Sequence, residues 1–132
     1  MKKISKLNLA LVALAIGLTQ KSVADAVVDW NDIAVQALVA AVPPRPRPVS
    51  FLDIAIVQAA VYDAVQAIDK RFQPYHAEIS GASGSPEAAA AKAAHDVLVN
   101  ILPAQGQALD AAYLASLAKY GFADDDPGVA VG

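Results

Sequence analysis

At 132 residues, with no cysteine, the chain suits one ordinary domain and has no disulfide framework to steady it. Thirteen acidic against ten basic residues give a net charge of −3; all the acids lie beyond residue 24, where only six of the bases do, so the part from residue 25 onward carries −7. Such a balance speaks against nucleic acid as a partner, because that binding rests on neutralising phosphates.

The first element in chain order is an export signal. Lys2, Lys3 and Lys6 precede a mostly apolar run over 7–18, and Ser22, Val23 and Ala24 supply small residues for cleavage. Residues 1–24 therefore read as a secretory signal peptide, with Ala24-Asp25-Ala26 as a second cleavage site, so that the exported chain starts at Asp25 or Val27. An uncleaved anchor is the rival reading, and the apolar run falls short of the roughly 20 residues that span a bilayer. No twin arginine precedes it, which favours export in the unfolded state to the periplasm or the extracellular space.

Trp30, Ile33, Ala34, Ala37, Leu38 and Ala41 recur at helical spacing and predict a first helix over 27–41, stopped ahead of Pro43. Pro44, Pro46 and Pro48 then stiffen the chain, and the expectation is that helix restarts only after Pro48. Ser50 stands as N-cap and Asp53 as the acid of a capping box. Phe51, Ile54, Ala55, Val61, Tyr62, Val65 and Ile68 form the predicted buried face of this second helix. Asp53, Gln58, Asp63, Gln66, Asp69 and Lys70 make up its polar remainder, and Pro74 ends it near Phe72.

A small-residue linker over 80–85 closes with Ser85 as N-cap and Pro86 at the first helical position. The third helix should reach about Leu102 with Ala90, Ala94, Val97, Leu98 and Ile101 as its stripe. The fourth should start near Ala104, bury Leu109, Ala112, Tyr113 and Leu117, and stop before Gly121 as a C′ glycine. Asp126 and Pro127 look like the start of one more helix, continued by a longer reading frame; a frayed tail is the alternative. No run shows the sustained alternation of a strand. Hydrophobic residues make up 56% of the chain, but much of that is alanine, which adds little area each, so the fold class is all-α, a small bundle of about four closely approaching helices.

Five features invite a chemical reading. His95-Asp96 could be a base with its orienting acid, but neighbouring helical residues point about 100° apart, which favours a histidine that packs or hydrogen-bonds within the domain. His76 could join Asp63 or Asp69 on a metal, yet the spacing offers no set of three or four donors. Asp124, Asp125 and Asp126 lack the alternation, glycine and glutamate of a calcium loop, and capping in solvent is the simpler role. Arg45 and Arg47 could meet an anion or a partner groove, or simply flank a solvated connector pinned by a salt bridge. Tyr62 and Trp30 read as core.

Val-Asp-Trp-Asn at 28–31, Pro-Arg-Pro at 44–46, Ser-Phe-Leu-Asp-Ile-Ala at 50–55, Tyr-Asp-Ala-Val-Gln-Ala-Ile-Asp at 62–69, Pro-Tyr at 74–75 and Ala-Ala-His-Asp-Val-Leu at 93–98 stand in one order. In that order they resemble the amino-terminal helices of secreted members of the bacterial vanadium-dependent haloperoxidase and type 2 phosphatidic acid phosphatase (PAP2) superfamily. The resemblance implies that residues 25–132 are a truncated amino-terminal domain of a larger helical fold. In that superfamily an oxyanion, phosphate or vanadate, is held by Lys, Arg, Ser-Gly-His and Arg-plus-His elements of later helices, none of which stands here. No catalytic, cofactor-binding or metal residue is therefore carried over, and vanadate would belong to the full-length relative, as would the choice between haloperoxidase and acid phosphatase chemistry. The implied partner is the missing carboxy-terminal half of the fold, with self-association through bare apolar faces in its absence. A free-standing secreted helical domain that binds a partner is the other reading.

Overall fold

The computed structural model describes residues 23–132; the segment read from the sequence as an export signal, residues 1–24, lies almost wholly outside them. Among the described residues there are four α-helices and no strand: α1 (Val23–Val39), α2 (Arg47–Asp69), α3 (Pro86–Ile101) and α4 (Gly106–Tyr120). Short 3₁₀ turns at Pro103–Gln105 and Pro127–Ala130 complete the fold.

α3 is the axis on which the rest is assembled, touching α1, α2, α4 and both 3₁₀ turns. Its start is capped as the sequence predicts: Ser85 accepts from the Ala88 N–H at 3.2 Å, and Pro86 takes the first position, where no N–H is needed. Ala88, Ala89, Ala90, Ala91, Ala93 and Ala94 are all buried along it, so neighbouring helices approach a surface of methyl groups. Trp30, Leu98 and Val57 are the largest side chains that are wholly enclosed, and they supply much of the apolar area that alanine cannot.

α2 departs from expectation in three ways. It begins at Arg47, not after Pro48, because proline's fixed φ suits the first turn, and Pro48 there forfeits no helical hydrogen bond. Ser50 consequently lies inside the helix, its N–H bonded to the Pro46 carbonyl at 3.0 Å, and caps nothing. The helix stops at Asp69 instead of near Phe72, closed by Lys70 in the left-handed region (φ 52°), whose N–H bonds the Gln66 carbonyl.

Its buried face is also rotated from the predicted one. Val57, Ala64 and Ala67 are buried with Val61 and Val65, whereas Phe51 and Ala55 are exposed and Tyr62 is more than one-third exposed, its hydroxyl donating to the Gln73 carbonyl at 3.0 Å. The cause is polar: Asp53 and Asp63, expected on the wet side, are both buried.

α1 begins at Val23, four residues ahead of the predicted start, and ends at Val39, two residues short of the predicted end. α4 follows its 3₁₀ lead-in and ends at Tyr120, with Gly121 in the left-handed conformation (φ 71°) bonding back to Leu117. The segment at Asp126 starts a single 3₁₀ turn. One Asp126 carboxylate oxygen accepts from its own Gly128 N–H at 2.7 Å and from the Ser85 N–H at 2.9 Å, fastening this turn to the head of α3. Gly84 (φ 103°) and Gly128 pass so closely there that a Cβ on either would collide with the other strand of the junction.

Candidate functional site

The densest group of chemically versatile side chains lies where α1, α3 and α4 meet. His95 on α3 is only 12% exposed at its side chain, with Nδ1 2.7 Å from Asp96 Oδ1 and Nε2 2.8 Å from Asp110 Oδ1 on α4. Although consecutive helical residues point about 100° apart, the Asp96 carboxylate does reach the neighbouring ring, and His95 hydrogen-bonds within the domain as expected. Lys92, one turn earlier, forms an ion pair with the same Asp96.

Aromatic rings close the group. His95 lies 4.9 Å from the Tyr113 ring centroid at a 34° tilt, and Trp30 of α1 meets it edge-on at 6.3 Å. Trp30 donates its indole N–H to the Ser116 hydroxyl at 3.1 Å, the partner that so enclosed an indole requires. The Tyr113 hydroxyl is buried without a hydrogen bond, and burial pushes its pKa up, helped by the negative charges of Asp96 and Asp124.

Chemically, this group is more a fastening than a reaction centre. Both imidazole nitrogens are engaged by carboxylates, so no lone pair faces a substrate, and the Ser116 oxygen is engaged by the indole. With one nitrogen on Asp96 and the other on Asp110, the ring ties α3 to α4.

The other singled-out residues are dispersed. Asp63 accepts three backbone N–H bonds, from Tyr75 at 2.5 Å, His76 at 2.9 Å and Ala77 at 2.8 Å, which folds the 70–79 loop against α2. Burial works to raise its pKa, but the three N–H donors, with His76 nearby, outweigh burial and hold it below the usual carboxylate range. His76 thus contributes its main chain to Asp63, and Asp69 takes no part. Among the described residues no trio of His, Cys, Asp or Glu is placed to hold a metal ion.

Arg45 grips Asp53 through two bonds, Nε to Oδ2 at 2.5 Å and Nη2 to Oδ1 at 2.9 Å, and so fixes the proline segment onto α2. Arg47 is exposed and has no such partner among the described residues. Replacing Arg45 with methionine should therefore lower the urea midpoint clearly, because Asp53 would be left buried without its counter-charge. The same change at Arg47 should leave the midpoint within error; equal effects at both positions would contradict the pinning role.

One tie had no signal in spacing. Asp29 on α1 accepts from the Tyr120 hydroxyl at 2.6 Å and pairs with Lys119. The Lys119 ammonium first, then Tyr120, keeps the Asp29 carboxyl low. Two apolar clefts flank α2, one of about 390 Å³ against α3 and the 75–79 loop, the other of about 470 Å³ against α1. Comparison with protein-family models, with curated proteins and with solved structures finds no match for this chain.

Proposed function

We propose that this helical unit is the amino-terminal, non-catalytic layer of an exported protein of the vanadium haloperoxidase and acid phosphatase type, the oxyanion chemistry belonging to residues of a longer relative. What supports this is the use made of the motif residues. Arg45 of Pro-Arg-Pro pins α2 through Asp53, Asp63 of Tyr-Asp-Ala holds the loop that carries Pro-Tyr, and Trp30 and His95 fasten α1 and α4 to α3. These motif residues act as scaffold. An oxyanion pocket needs converging cations, and three of the six cations beyond residue 24, Arg45, Lys92 and Lys119, are instead paired with Asp53, Asp96 and Asp29 on separate elements.

The purified chain should show no turnover above a heat-killed control with vanadate, peroxide and bromide, or with a phosphomonoester. Activity in either assay would overturn the reading. The second reading, a free-standing helical domain that binds a partner, is favoured by one observation, the bare apolar outer side of α2. Sequencing the transcript beyond the Gly132 codon separates the two: a continuation with Lys, Arg-Pro and Ser-Gly-His elements supports the first, an immediate stop the second.

A further inference from the structure

We propose that the outward face of α2 is a self-complementary seam on which a second copy of this chain packs, antiparallel, about a twofold axis level with residue 57. This goes beyond the functional reading above and does not rest on it.

Three observations carry it. First, Pro48, Leu52, Ala55, Ala59, Tyr62 and Gln66 follow one another at alternating steps of four and three, the spacing of a helix–helix seam. None of the six is buried: Leu52 is 64% exposed, and Phe51 and Ile56 widen the stripe at 76% and 53%. Yet the helix's opposite side, through Val57, Val61, Ala64 and Val65, is in the core. The helix is thus apolar on both sides.

Second, the seam carries no charge. The only two carboxylates between Arg47 and Asp69 are Asp53 and Asp63, and both are buried, one paired with Arg45 and the other covered by the 75–77 loop whose backbone it binds. Water-facing helices ordinarily place such residues outside. Here they are spent within the chain, and the outer surface is left to apolar contact.

Third, size and charge read the same from either end. An axis at residue 57 sets Leu52 opposite Tyr62 of the second copy and Ala55 opposite its Ala59, twice over. Large residues meet at the two ends and methyl groups at the centre, where the helix axes come closest. Arg47 opens α2 and Asp69 closes it, and neither has an ion partner among the described residues. Antiparallel pairing carries the Arg47 of each copy toward the Asp69 of the other, whereas parallel pairing sets Arg47 beside Arg47.

Sedimentation of the purified chain in the micromolar range should show a dimer, and Leu52→Glu should weaken it by about tenfold or more without changing the helical circular dichroism. Because the sequence has no cysteine, cross-linking gives an independent geometric test. A mixture of Ala55→Cys and Ala59→Cys copies should form more mixed disulfide than either copy forms with itself. A monomer throughout the range, a monomer that floats with lipid vesicles, aggregates that persist in Leu52→Glu, or a preference for 55-to-55 linkage would each overturn the proposal. These outcomes are read on association alone, so they stand apart from the assays for turnover.

Discussion

Trp30→Ala should leave the domain barely stable, with a sizeable unfolded fraction at room temperature. The indole is fully enclosed between α1, α3 and α4, in contact with His95 and Tyr113. Truncating so large a buried ring costs about 3–5 kcal/mol, and total stability in small domains is about 5–15 kcal/mol. This domain sits toward the low end, since its core is rich in alanine and no disulfide supports it. Ser116 would also lose the indole donor. Trp30→Phe keeps most of the ring and loses that one bond, so its penalty should be nearer 1–2 kcal/mol, roughly. Urea titrations followed by circular dichroism compare the three chains; a Trp30→Ala midpoint equal to that of the parent would refute the role given to the indole.

Asp63→Asn should produce the second largest effect, of about 2–3 kcal/mol. A carboxylate accepts on both oxygens, but an amide turns an N–H₂ toward donors, so at least one of the Tyr75, His76 and Ala77 N–H groups would lose its acceptor. Loosening should be local first, and amide hydrogen exchange at residues 75–77 should accelerate more than in α3. The same carboxylate should contribute to the acid limit of the fold. Its folded pKa is depressed below the unfolded value of about 3.9, so its contribution is present above that value and is lost as pH falls through the folded one. Asp29 and Asp96 are depressed too, Asp29 chiefly by Lys119 and Asp96 by Lys92 and His95 against the upward push of burial. Acid unfolding should therefore begin below about pH 4, and Asp63→Asn should flatten that limb. An unchanged pH profile in the variant would show that another group governs it.

The elements were legible in the sequence where local chemistry decides them. Ser85 with Pro86 starts α3 and Gly121 ends α4, because a cap or a positive φ needs those residues whatever the surroundings. α2 was harder, since its boundaries and face depend on partners distant from the pattern. Periodicity assigns Asp53 and Asp63 to water, and only Arg45 and the 75–77 backbone, brought up by the fold, make their burial tolerable. Proline at 48 looked like a barrier because its place in the first turn is invisible until Arg47 is known to begin the helix. The His95 group shows the same limit: Asp96 is adjacent in sequence, but Asp110, fifteen residues on, and Trp30 enter through tertiary packing alone.

The bonds that fasten α1 have a bearing on how the chain reaches its native state. Trp30 meets Ser116 across 86 residues, and Asp29 meets Lys119 and Tyr120 across 90 and 91. Helical proteins usually fold fast because most of their contacts are short-range, and here the decisive ones are not. A nascent chain emerging amino-terminus first presents its sole tryptophan long before the slot for it exists. α1 packs on α2 and α3, but until synthesis has passed Tyr120 it lacks the bonds to α4 that complete its fastening. The architecture therefore delays its own completion to the last quarter of the polypeptide.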